Sequence, residues 1–143
     1  MAGLMDDLIA FLHARLDEDE KEAATASPGP WHANPEQDEV VAVDGETVAD
    51  GFALNSQQLR ATVRHIVRHD PARVLREVEA KRRILELHKA VHYRQYDPPA
   101  WICLECSSRD DDHYHVTDAP CETVRLLALP YSDHPGYKEA WKP

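Results

Sequence analysis

Three cysteines constrain this chain more than anything else in it. Cys103-Leu104-Glu105-Cys106 forms a C-x₂-C pair, and Cys121 follows directly after Pro120. The C-x₂-C spacing lets one tight turn present two thiolates to the same ion, as in zinc knuckles. Cys121 stands at a predicted helix start, where the helix dipole and free N–H groups favour a thiolate. An odd cysteine count leaves one thiol over in any disulfide framework, and a reducing compartment disfavours disulfides altogether. The pattern predicts one structural zinc ion per chain, clasping the C-terminal part.

Three thiolates leave one tetrahedral position for another side chain. His88 is the first candidate, because it falls near the end of a predicted helix on its inward face. His92 lies one turn later on nearly the same face, and His113 and His115 sit between the cysteine groups, so these three remain alternatives. Sulfur-rich coordination is closed, whereas hydrolytic zinc keeps a water beside nitrogen and oxygen ligands. Neither H-E-x-x-H nor the deaminase pairing of H-x-E with P-C-x-x-C occurs, which points to a structural ion. P-loop, nucleophile-elbow and dinucleotide signatures are missing as well.

A length of 143 residues bounds the chain to a single domain, 1–143. It reads as a helix over 4–26, a β-hairpin region over 31–50, two helices within 56–93 and a zinc-binding part over 94–143. Leu4, Leu8, Phe11, Leu12 and Leu16 share one arc of the first helix, widened by Met5 and Ile9, and Ser27-Pro28-Gly29-Pro30 stops it. Val40, Val41 and Val43 before Asp44-Gly45, with Thr47 and Val48 after, give a short hairpin signal, and Trp31 is expected to pack against it. Ser56 is the candidate N-cap of the second helix, whose buried side carries Leu59, Val63, Ile66 and Val67. Asp70-Pro71 is the sharpest boundary: the Asp caps a third helix, and Pro at its first position loses no hydrogen bond. That helix is predicted to run to about Tyr93, followed by an irregular stretch over 100–120, a last helix from near Cys121 to Pro130, and a short turn ending at Trp141. The expected fold is mainly α with a small β-hairpin (α+β), four to five helices around one core.

The formal charge of −10 argues against a protein that coats nucleic acid. From Arg60 to Arg94, however, ten Lys and Arg stand against four Asp and Glu, while the rest of the chain has six against 22. Arg60, Arg64 and Arg68 recur every four residues as a ridge that can grip phosphates or an acidic partner helix, or pair with the acidic end of the first helix, the second being the first expectation. No stretch approaches the ~18 apolar residues of a membrane span. Asp6, Asp7 and Arg15 interrupt any signal-peptide core, so a cytoplasmic location without membrane contact is expected.

The run from His65 through Asp70-Pro71 to Leu85, the run from Pro120-Cys121 to Tyr137 and the opening Asp7-Leu8-Ile9-Ala10-Phe11-Leu12 resemble a family of small uncharacterised proteins from high-GC Gram-positive bacteria and their phages. The resemblance covers nearly the whole chain. It implies that His88, Cys103, Cys106 and Cys121 form the shared ligand set, and it implies no activity. Where relatives have Cys-Pro-Thr, this chain has Cys121-Glu122-Thr123.

The function expected on these grounds is that of a small zinc-stabilised, non-enzymatic protein acting through contacts with a protein partner. The alternative is a nucleic-acid-associated regulator using the basic face from Arg60 to Arg94. A weaker one is an enzyme with a site around His65, His69 and Asp70, the two imidazoles standing at i, i+4.

Overall fold

The computed structural model describes residues 2–95 and 97–143. These fold into four α-helices and two three-stranded antiparallel sheets, an α+β architecture with more strand than a lone hairpin. The chain divides into two compact units, one joining the residues up to Leu16 with Ala80–Pro143 and the other comprising Asp17–Glu79. Among the described residues, no helix is long and apolar enough to cross a membrane.

In the first unit, the opening turns of helix α1 (Ala2–Thr25) bury Met5, Leu8, Leu12 and Leu16, while Leu4, Ile9 and Phe11 of the arc read from the sequence are half-buried. Full burial of a Leu is worth roughly 1.5–3 kcal/mol, so this stripe fixes the helix face. Phe11 packs on the buried Trp141 with ring centroids 5.0 Å apart, and meets Tyr131 and Tyr137 edge-on at 6.4 and 6.1 Å. Edge-on and tilted rings set the positive rim of one against the negative face of another. Arg15 donates to His134 beside this cluster.

In the second unit, strands β1 (His32–Ala33), β2 (Glu39–Val41) and β3 (Thr47–Asp50) form a meander in that order. Its tight turn is Asp44-Gly45, where Gly45 takes φ of +88°, a conformation that a side chain resists, and its amide donates to Ala42. Helix α2 (Ser56–Arg68) buries Val63. Its N-cap is Asn55, not Ser56: the Asn55 side chain accepts from the Gln58 amide at 2.9 Å, the reach a cap needs three residues ahead of its donor. Asp70 caps helix α3 (Pro71–Leu87) as expected, accepting from the Arg73 amide at 2.8 Å. Its other oxygen accepts from the Trp31 amide at 2.9 Å, while the Trp31 indole donates to the Ser27 carbonyl. Gly29 lies against this corner so closely that a Cβ there would stand 2.9 Å from that of Ala72.

The C-terminal part differs most from expectation. Helix α3 ends at Leu87, not near Tyr93, and Ala90–Tyr93 becomes strand β4. The stretch expected to be irregular holds β5 (Ala100–Arg109) and β6 (Tyr114–Asp118), and the sheet runs β4-β5-β6. The physical reason is pairing: Ala90, Val91, His92 and Tyr93 lie opposite Cys103, Ile102, Trp101 and Ala100, and the buried Ile102 gives the sheet an apolar face. Helix α4 (Glu122–Ala128) follows with Cys121 at its N-cap position and buries Val124 and Ala128.

Candidate metal centre

The central strand β5 builds the site. Two cysteines three residues apart in a regular strand point to opposite faces. Between Cys103, opposite Thr117, and Ser108, opposite His115, the pairing slips by three residues, so Leu104 to Ser107 bulge out of the ladder. The bulge re-aims Cys106 towards the sulfur of Cys103. Side chains replace the missing ladder bonds. Ser107 Oγ donates to the Cys103 carbonyl at 2.6 Å and accepts from the Thr117 amide at 3.0 Å, and Thr117 Oγ1 donates to the Cys106 carbonyl at 3.0 Å.

The neighbouring strands deliver the other two donors. His88 stands just past the end of α3, its amide still bonded to the Ile84 carbonyl, and two residues later Ala90 pairs with Cys103. Cys121 lies three residues beyond β6, whose end is tied to β5 by the Ala119 amide on the Trp101 carbonyl. Arg125 then holds the α4 start by donating to the Pro120 carbonyl.

His88 Nδ1 lies 3.4 Å from Cys103 Sγ, 3.4 Å from Cys106 Sγ and 3.6 Å from Cys121 Sγ. One donor atom from each of the four residues falls within 4.8 Å of all the others, an arrangement that could hold a metal ion. Cys103 and Cys121 are buried and Cys106 is exposed. Desolvation, and after it the two neighbouring sulfurs, pushes the Cys106 thiol from its usual value near 9 up to about 12. Cys103 is also raised, chiefly by desolvation. Crowded sulfurs resist becoming anions together, and a divalent cation at their centre reverses that preference.

The other histidines stand elsewhere. His92 faces Trp101 across the sheet with rings 5.0 Å apart, and His113 and His115 gather around Asp110 at the far end of the β5–β6 hairpin. A profile described as a family of unknown function matches residues 5–143. The chain belongs to this family, DUF6221. No curated protein and no solved structure matches it. The reading of this DUF6221 chain from sequence missed Ser107 and Thr117, which shape the bulge; the only signal for them was a hydroxyl residue directly after the C-x₂-C pair.

The remaining candidate residues divide between capping and solvent. His65 and His69 bring their rings to 4.4 Å, with His69 Nδ1 donating to the His65 carbonyl at 2.7 Å. Asp70, only 6% exposed, spends both oxygens on backbone amides at the helix corner. Arg60, Arg64 and Arg68 are exposed, and among the described residues no carboxylate pairs with them, contrary to the expected pairing with the first helix; Arg64 instead donates to Gln37. Long exposed side chains gain little from a surface ion pair and lose rotamer freedom in making one.

Proposed function

We propose that His88, Cys103, Cys106 and Cys121 bind one structural zinc ion, and that the protein is a zinc-stabilised, non-enzymatic module acting through contacts with a protein partner. The observation that carries the zinc is the spacing around His88 Nδ1. With Zn–S near 2.3 Å and Zn–N near 2.0–2.1 Å, a tetrahedral ion needs N···S separations of about 3.6 Å. The three distances of 3.4, 3.4 and 3.6 Å fit that tetrahedron. The chemistry of the donors agrees, since thiolate and imidazole select zinc over magnesium or calcium. Four protein donors fill the four positions and leave none for a substrate, which supports a structural role.

Three converging thiols suit a reducing compartment, and we place the protein in the cytoplasm on that ground. The resemblance to proteins of high-GC Gram-positive bacteria and their phages fits a small accessory factor. The partner reading draws support from the loop before α2. Phe52 and Leu54 are 86% and 98% exposed, although the loop is held at one end by the Gly51 amide on the Asp38 carbonyl and at the other by the Asn55 cap. A tethered loop that offers two large apolar side chains to solvent suits contact with another protein. The exposed Arg60–Arg64–Arg68 ridge on the adjoining helix keeps nucleic acid as the second reading.

Elemental analysis and X-ray absorption of the purified protein test the zinc. One zinc per chain with three sulfur neighbours and one nitrogen is the expected result. A fully folded, metal-free protein with three reactive thiols would overturn it.

A further inference from the structure

The loop between β3 and α2, and the helix that follows it, depart from an ordinary surface in two ways, both within the second unit. Phe52 and Leu54 are the most exposed large apolar side chains among the described residues. Helix α2 holds Arg60, Arg64 and Arg68 and no Asp or Glu over its 13 residues, in a chain of formal charge −10. Side chains four residues apart stand above one another on a helix, so the three guanidiniums form a row about 12 Å long. The two features adjoin. Gly51, directly before Phe52, passes so close over α2 that a Cβ on it would stand 2.7 Å from Leu59 Cδ1 and from Val63 Cγ2. Leu59 and Val63 directly precede Arg60 and Arg64. The turn before β2 ties the same neighbourhood together: the Gly51 amide donates to the Asp38 carbonyl at 2.6 Å, and Arg64 donates to the Gln37 side chain at 3.2 Å.

We propose that Phe52, Leu54, Arg60, Arg64 and Arg68 form one docking surface, and that its occupant is an acidic amphipathic helix of a partner protein. The proposal rests on the reading of the chain as a partner-binding module, and it names the chemistry of that partner. Charge complementarity sets the sign. Among the described residues no carboxylate pairs with the three guanidiniums, and a guanidinium grips a carboxylate through two parallel N–H bonds. A helix with Asp or Glu at four-residue spacing repeats its carboxylates at the interval of the Arg row. The two apolar side chains set the class of partner. The phosphates of a duplex would meet the row alone and leave Phe52 and Leu54 in water. An amphipathic helix carries apolar side chains beside its acids and lays them on such a surface. Arg and Phe are also enriched where protein interfaces bury most surface.

The test pans a displayed library of random linear peptides on the immobilised full-length protein, then measures a synthetic peptide of the consensus sequence by fluorescence anisotropy. The expected consensus is net acidic, with apolar residues at helical spacing, and its binding weakens steeply with salt. Arg60→Gln, Arg64→Gln and Arg68→Gln together should weaken the peptide by about tenfold or more, and so should Phe52→Ser with Leu54→Ser. All five positions are exposed, so both variants should melt with the parent, which separates lost binding from lost fold. A peptide that binds both variants as tightly as the parent sits elsewhere; that result overturns this surface and leaves the partner reading standing. A neutral or basic consensus, or a selection that enriches no peptide, would also overturn the proposal. Duplex DNA bound tightly instead, and released by the Arg substitutions, would overturn the partner reading as well. Self-association of the parent, abolished in both variants, would make the occupant a second copy of this chain and overturn the assignment to a partner protein.

Discussion

The Ser107 hydroxyl stands between two strands, accepting the Thr117 amide at 3.0 Å while donating to the Cys103 carbonyl at 2.6 Å. It occupies the place a backbone carbonyl would take in an unbroken ladder, and so lets β5 bulge at the cysteine pair without orphaning the Thr117 N–H. Both residues are half-buried, where a lost hydrogen bond is not fully replaced by water. Ser107→Ala should therefore destabilise the protein by about 1–2 kcal/mol. Thr117→Val keeps the β-branched shape, removes the bond to the Cys106 carbonyl, and should cost about 1 kcal/mol. Both should also weaken metal retention against a chelator, whereas Ser108→Ala should not. Denaturant melts and chelator competition measure the two effects.

His88 should be distinguishable from every other histidine. His88→Ala removes a donor from a four-donor site, and structural zinc contributes on the order of 10 kcal/mol to folding its own domain. The variant should lose zinc and melt far below the parent. His92→Ala, His113→Ala and His115→Ala should keep their zinc and melt within a few degrees of it. Equal small effects at all four positions would remove His88 from the ligand set.

The thiols give the site opposite pH responses with and without its ion. In metal-free protein the folded-state values of Cys103 and Cys106 lie above the usual thiol value, so the fold holds more protons than the unfolded chain. Their contribution to stability is then complete below about pH 9 and is lost as pH rises towards 12. A bound cation inverts the sign: thiolates held by metal count as depressed, and their contribution is lost as pH falls and protons compete. Metal uptake near neutral pH should release at least the two protons of Cys103 and Cys106. Calorimetry in buffers of different ionisation enthalpy counts them. Uptake with no proton release would mean that the sulfurs are not the ligands.

Replacing Arg60, Arg64 and Arg68 together by Gln should barely change stability, within about 0.5 kcal/mol, because among the described residues no carboxylate pairs with them and Gln suits a helix nearly as well. We expect the parent protein to bind random duplex DNA poorly, since the chain outside Arg60–Arg94 carries six basic residues against 22 acidic. Micromolar binding to duplex at physiological salt, abolished by the triple substitution, would make nucleic acid the partner in place of a protein.

The sequence was legible wherever a local rule acts alone. The Leu8–Leu12–Leu16 stripe, the Asp44-Gly45 turn and the Asp70-Pro71 boundary each rest on side chains within a few residues of one another, and each stands where it was expected. The second sheet was hidden for two reasons. Ala90–Tyr93 is a short apolar run that continues the helical wheel of α3, and its strand character appears only once it pairs with Ala100–Cys103. The bulge at Leu104 to Ser107 breaks the period-two alternation at the cysteines themselves, so β5 does not read as a strand. His88 was singled out from the inward face of a helix. It meets the sulfurs from just beyond that helix, through the register of β4 on β5, which no wheel can display.

The unit that joins the first residues to Ala80–Pro143 also sets a schedule for synthesis. Leu8, Leu12 and Leu16 emerge from the ribosome well before Ile102, Val124 and Trp141 of the same unit. At translation speeds of about 5–20 residues per second, the leading apolar stripe waits on the order of ten seconds for those partners. Asp17–Glu79 is meanwhile complete and can fold during that delay. The nascent chain therefore carries an uncovered greasy segment until Trp141 has been made, and such a segment offers a chaperone a place to take hold.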